Sequence, residues 1–222
     1  MISWLAGLER PSGLPAVWLL DLNDRELRRL ARALAPTPDD LSRAASRPPT
    51  EREDVLVRRG LVRLCVAAAL EVRASEVIIL WSPRGAPLLG PPFADYRVSW
   101  AQRAGRFACA LSLQPIGVDI EIADGGEIPR KALHAQEIAV LRAAEPFARE
   151  ALFLRIWAAK EAYAKALGEG LRRETSEFAL HLERDGAGFI EDSQAADRKR
   201  VRVAFAPIAG VAGVVAVALG EK

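Results

Sequence analysis

The sequence predicts an α+β protein of two similar halves, and three observations carry that expectation. The 222 residues suffice for one large domain or two smaller ones, each able to bury a core. Half of them are apolar and 27% are charged, the balance of a soluble globular chain. Each half offers helix-type periodicity followed by several short runs with strand alternation, although no clear sequence repeat joins the two.

The elements follow in order. The segment AVWLLDL from Ala16 reads as a strand, and NDRELRRLARALA as a helix capped by Asn23 or Asp24. A break at Pro48 and Pro49 precedes TEREDVLVRRGLVRLCVAAAL. Thr50 and Glu53 have capping-box spacing, so a long helix is expected to start there. SEVIIL, YRVSWA, RFACALS and IGVDIEI then read as short strands. Beyond them DGGEIPR is a loop, and residues 131–167 are helical with an interruption near Pro146. Strands are expected at 178–182, 201–205 and 211–219. The two subdomains are expected to span residues 1–113 and 114–222, the second carrying the chemistry described below.

With 31 basic and 29 acidic residues the net charge is only +2, which speaks against nucleic-acid binding through a global basic field. Anion recognition must then be local. Arg172 with Arg173, and the run Arg198 to Arg200, are candidates, with a solvated surface as the plain alternative. Cys65 and Cys109 sit in apolar runs without CxxC spacing and read as reduced core residues. His134 and His181 are isolated, which argues against a zinc site or a histidine-activated nucleophile. The N-terminal residues are of mixed charge and no long apolar segment is present, so neither a signal peptide nor a membrane span is expected, and the expected location is cytoplasmic.

WAAKEAYAKALGEGL, from Trp157, is unusual for an amphipathic helix. At about 100° per residue, Phe153, Ile156, Trp157, Ala164 and Leu167 share a face, with Lys160 near its centre and Glu161 and Lys165 at i, i+4 on the flank. Gly168 and Gly170 supply a stop. A surface ion pair and a lysine stem lying along apolar surface would explain the pattern without chemistry.

In PIGVDIEIA, Ile116, Val118, Ile120 and Ile122 share one face, and Gly117, Asp119 and Glu121 the other. Two carboxylates side by side raise a pKa or demand a cation. Oxygen ligands without histidine or cysteine suit Mg²⁺ or Mn²⁺. The alternative is the solvated face of an edge strand.

GVDIE at 117–121 followed by WAAKEAYAKAL resembles the paired signature of the 4′-phosphopantetheinyl transferases, G-x-D-x-E and W-x-x-K-E-A-x-x-K, of the large surfactin-synthetase-activating type. The resemblance implies a monomer of two pseudo-symmetric α+β halves with coenzyme A in the cleft between them. It implies transfer of the 4′-phosphopantetheine arm to a serine of an acyl- or peptidyl-carrier protein. Asp119, Glu121 and Glu161 would hold Mg²⁺, or Mn²⁺, against the pyrophosphate. Glu161 or a metal-bound water would accept the serine proton. Lys165 would stabilise the departing charge, with Lys160 at the same cleft near the phosphates, and Trp157 would pack the helix. Arg142, Arg149 and Arg155 are candidate contacts to an acidic carrier protein.

The upstream match is looser. The family's G-K-P lysine falls at Ala86, with Arg84 two residues away, and its F-N-x-S-H-S segment reads YRVSWA. Ser99 is retained there, while Arg97 and Trp100 replace the asparagine and the histidine. The arginine that opens the long helix of the first half falls at Asp54, with Arg52 nearby. The donor contacts implied are Ser99, Arg84, Arg52 and Trp100, beside Lys160 and Lys165. A diverged relative with a changed donor, or a carrier-binding module without transfer, is the competing expectation.

Overall fold

The computed structural model describes residues 1–125, 129–168, 174–195 and 200–220. After β1 (Ser3–Leu5), the first half runs β2 (Ala16–Asp21), α1 (Arg25–Arg32), α2 (Pro38–Ala45) and α3 (Pro49–Leu70). Two hairpins follow, β3 (Ile79–Trp81) with β4 (Pro87–Leu89) and β5 (Arg97–Arg103) with β6 (Arg106–Ser112). Among the described residues the second half follows the same order with one helix fewer and no counterpart of β1: β7 (Ile116–Ile122), α4 (Ala135–Ala143), α5 (Pro146–Leu167), then β8 (Phe178–Leu182) with β9 (Gly188–Asp192) and β10 (Val201–Pro207) with β11 (Gly213–Leu219). In each half the opening strand pairs antiparallel with the closing one, β2 with β6 and β7 with β11. The sheets run β1-β2-β6-β5 and β7-β11-β10-β9-β8, with β3 and β4 apart. The fold is α+β, as expected.

Alternation sorts the strand residues into three cores. Trp18, Phe107 and Cys109 face α3, while Ala216 and Ala218 face α5. The opposite faces meet, with Val17, Ala108 and Ala110 against Val118, Ile120 and Val217. The order is therefore helix, sheet, sheet, helix. Ser99 Oγ on β5 accepts the Val118 N–H of β7 at 3.1 Å, which closes the seam where the second sheet would otherwise end. Cys65 and Cys109 are free and buried in the first core, as expected.

Several boundaries differ from the sequence expectation. Helix α3 opens on Pro49, whose missing N–H is no loss at a first helical position. Thr50 and Glu53 consequently form no capping box, and Glu53 instead pairs with Arg28 and Arg32. The capping boxes open α2, with Thr37 and Asp40, and α4, with His134 and Glu137. Only Ile79–Trp81 of the SEVIIL region is strand, because Ala74–Glu76 form a 3-10 turn. Strands β1 and β4 are three residues each, too short to show a period. The break at Pro146 and the stop at Gly168, with φ of 68°, appear where expected. Among the described residues no helix is long and apolar enough to cross a membrane.

Candidate active site

A glycine positions the site. A Cβ on Gly117 would lie 1.8 Å from the Ala162 carbonyl oxygen, so only glycine lets α5 rest this closely on β7. The contact lowers Glu161 and Lys165 of α5 onto the Asp119 face of the strand. Asp119 is 8% exposed and Glu121 9%, so this is no solvated strand face. Lys165 Nζ donates to Asp119 Oδ1 at 2.7 Å and to the Val118 carbonyl at 3.1 Å.

The three acids feel one another. Burial raises Asp119 above the usual carboxylate range, against the pull of Lys165. Burial, and then the charge of Asp119, raises Glu161. The same two causes push Glu121 up to about 7, with Glu161 adding to them. Arg103 of β5 opposes this from 3.8 Å and also pairs with Asp124 at 2.8 Å. Among the described residues no three His, Cys, Asp or Glu side chains are drawn together tightly enough to cage an ion unaided. Asp119 Oδ2 is nevertheless buried without a hydrogen-bond partner among those residues. Mg²⁺ takes few protein carboxylates and completes its shell with phosphate and water oxygens, so this all-oxygen set fits a hard cation.

Beside Lys165 opens a cavity of about 700 Å³. Its walls come from both halves: Trp81, Arg84, Ala86, Arg97, Ser99 and Trp100 from the first, and Ile116 and residues 165–168 from the second.

The family model for the 4'-phosphopantetheinyl transferase superfamily matches residues 115–214. The chain is 30% identical over 171 residues to the 4'-phosphopantetheinyl transferase HetI of Nostoc sp. (strain PCC 7120 / SAG 25.82 / UTEX 2576), covering 72% of this chain and 71% of that one. It belongs to the 4′-phosphopantetheinyl transferase superfamily. The 4'-phosphopantetheinyl transferase Sfp of Bacillus subtilis (strain 168) is 29% identical over 135 residues, and the chain spans only 59% of that relative's length. Among solved structures, the holo-[acyl-carrier-protein] synthase of Thermotoga maritima aligns at 20% identity with a TM-score of 0.40, over 49% of this chain and 63% of that one.

In this phosphopantetheinyl transferase the expected site residues divide. Asp119, Glu121, Glu161 and Lys165 come together, and Ser99, Arg84 and Trp100 line the adjoining cavity. Lys160 does not. Expected at the cleft, it is fully buried, 2.8 Å from Glu137, and donates to the Thr175 and Phe178 carbonyls. The helix turns it to the side facing α4 and β8, where the acid of the α4 capping box awaits it. Arg52 also falls outside the cavity lining, its Nε donating to the Arg47 carbonyl at 3.1 Å on an exposed turn. Asp54 pairs with Arg28. Trp157 stacks on Phe153, with ring centroids 6.3 Å apart.

Of the arginines considered for carrier contacts, Arg142 is exposed. Arg149 caps α4 through the Leu141 and Ala144 carbonyls, and Arg155 holds the Gly186 carbonyl. Arg200 lies over the Phe189 ring. Gly170, Arg172, Arg173 and Arg198 lie outside the described residues. Arg103 escaped sequence reasoning, since a lone arginine at a strand end carries no pattern.

Proposed function

We propose that this chain transfers the 4′-phosphopantetheine arm of coenzyme A to a serine of an acyl- or peptidyl-carrier protein, with Mg²⁺ held by Asp119, Glu121 and Glu161. The observation that carries the reading is the Gly117 contact. It brings Glu161 and Lys165 to a buried, incompletely bonded aspartate beside a cavity large enough for a nucleotide-bearing donor. The names borne by HetI and Sfp support it. Because both halves of one chain build the cavity wall, the enzyme is expected to work as a monomer.

The cation, Mg²⁺ or Mn²⁺, supplies neutralisation of the pyrophosphate charge. Glu161, its proton affinity raised by burial, accepts the serine proton. The serine oxygen bonds to the phosphorus bearing the pantetheine arm as the bond from that phosphorus to 3′,5′-bisphosphoadenosine breaks, and the electron pair leaves with the nucleotide. Lys165 exchanges its contact with Asp119 for the departing phosphate. Most of the work is positioning and charge neutralisation.

Incubating an apo-carrier protein with coenzyme A and Mg²⁺ should add the mass of the phosphopantetheine arm. A chelator, or Asp119→Ala, should abolish the gain without unfolding the protein. The departures at Ala86, Arg97 and Trp100 favour one competing reading, a diverged carrier-binding module. Carrier binding without any mass gain would establish that instead.

A further inference from the structure

The first half carries a charge cluster that the transfer chemistry leaves unused. Asp39, near the start of α2, receives three donors on one oxygen, Oδ2. These are Arg43 Nε at 3.2 Å, Arg59 Nη2 at 2.6 Å and the indole Nε1 of Trp81 at 3.1 Å. The Arg43 guanidinium also lies 3.6 Å from the Trp81 ring centroid, covering one face. Trp100 meets Trp81 edge to face, with centroids 5.6 Å apart and planes at 77°. Both tryptophans line the 700 Å³ cavity. An indole bonded at its N–H, covered on one face and braced by a second indole is held in a fixed plane.

A fixed aromatic wall in a cavity that also presents Arg84, Arg97 and Lys165 suits a nucleobase that carries phosphates, because every base has a π face to stack and its phosphates need cations. We propose that the Trp81–Trp100 corner seats the adenine base of the donor, and that Asp39 is a positioning residue that sets donor affinity through Trp81. The proposal rests on the assignment of this cavity to coenzyme A. The network ties the indole to the core: Asp39 bridges Trp81 to the buried Arg59, whose Nε is held by Asp40 and whose Nη2 bonds Asp39 itself.

The test is calorimetric titration of the full chain with 3′,5′-bisphosphoadenosine and, separately, with 4′-phosphopantetheine. Trp81→Leu and Asp39→Ala should each weaken the nucleotide about tenfold and change the pantetheine fragment by less than about twofold. In transfer assays Asp39→Ala should raise the KM for coenzyme A about tenfold while kcat falls by less than about twofold. Adding Asp39→Ala to Trp81→Leu should cost less than about a further twofold, since the aspartate acts through the indole. Trp81→Phe leaves the ion pairs of Asp39 in place and covers the case in which Asp39→Ala does not fold. It should show a loss of about threefold on the nucleotide alone. Unchanged nucleotide affinity in the Trp81 variants, or equal loss of both ligands, overturns the proposal. If the unmodified protein binds neither ligand, the coenzyme A assignment itself falls and takes the proposal with it.

Discussion

Lys160 Nζ stands 2.8 Å from Glu137 Oε2, and neither side chain reaches solvent. The first half holds a related arrangement, with Arg63 3.6 Å from a buried Asp40 that Arg59 bonds directly. In each half the cation stands equally far beyond the proline that opens the long helix, and the acid is the third residue of the preceding short helix, where it closes the capping box. Lys160 is thus part of the scaffold common to both halves. Burial lowers its pKa while Glu137 holds the proton on. Removing one partner from such a pair strands a buried charge. Lys160→Ala should therefore cost on the order of 3–5 kcal/mol, a fall in melting midpoint of about 10 °C, while transfer per folded molecule stays close to normal. Lost transfer at an unchanged melting temperature would return Lys160 to the phosphates.

Lys165 is the opposite case. It is 30% exposed in its side chain, and its partner Asp119, already raised by burial, can take up a proton when the lysine is gone, so its removal costs the fold less than that of Lys160. In the proposed transfer it would face developing phosphate charge and be worth several kcal/mol to the transition state. Lys165→Ala should slow turnover by about a hundredfold or more, with a melting shift of no more than a few degrees. Near-normal turnover would reduce it to a surface ion-pair partner.

The acidic cluster predicts an inverted pH dependence in the presence of a chelator. Glu121 sits at about 7 in the fold against 4.5 when exposed, chiefly through burial and next through Asp119, and Asp119 and Glu161 shift the same way. The folded state therefore holds protons that the unfolded chain has released. The favourable contribution is complete below 4.5 and is lost as pH rises through about 7. Melting temperature without metal should fall between about pH 5 and pH 8, and Mg²⁺ should raise it more at the upper end, where the carboxylates are charged. Equal stabilisation by Mg²⁺ at both ends would count against a shared cation.

The motifs of the candidate site are legible in the sequence because each has a local period. Strand alternation put Asp119 and Glu121 on one face, and helix spacing paired Glu161 with Lys165. Glycine at 117 was part of the motif, but its cause, the approach of Ala162, is a tertiary fact that no local pattern carries. Lys160 was misplaced for a related reason. A cation centred in an apolar stripe reads as cleft or surface until the buried acid of another helix is known. Thr50 and Glu53 had the spacing of a cap, yet Pro49 had already taken the first helical position. Strands β1 and β4, three residues each, borrow their conformation from the neighbours they pair with.

The donor end yields the last prediction. An enzyme that grips the 3′-phosphate with buried cations rejects a donor lacking it, because those cations are left unpaired. Here alanine stands at position 86, against Gly168 across the cavity, where the family carries lysine. Trp100 replaces a histidine with a ring that offers stacking in place of charge. Asp54 faces Arg28, not the donor. Arg97 lines the cavity but spends one nitrogen on the Ala94 and Tyr96 carbonyls. On the proposed seating the nucleotide would be held more by its base than by its 3′-phosphate. Coenzyme A should be preferred over dephospho-coenzyme A by less than about tenfold in kcat/KM, under roughly 1.4 kcal/mol. Competition between the two donors measures this directly. A preference of about a hundredfold or more would mean that Arg84 and Arg97 rebuild the phosphate grip, since guanidinium groups reach far enough to serve from neighbouring positions.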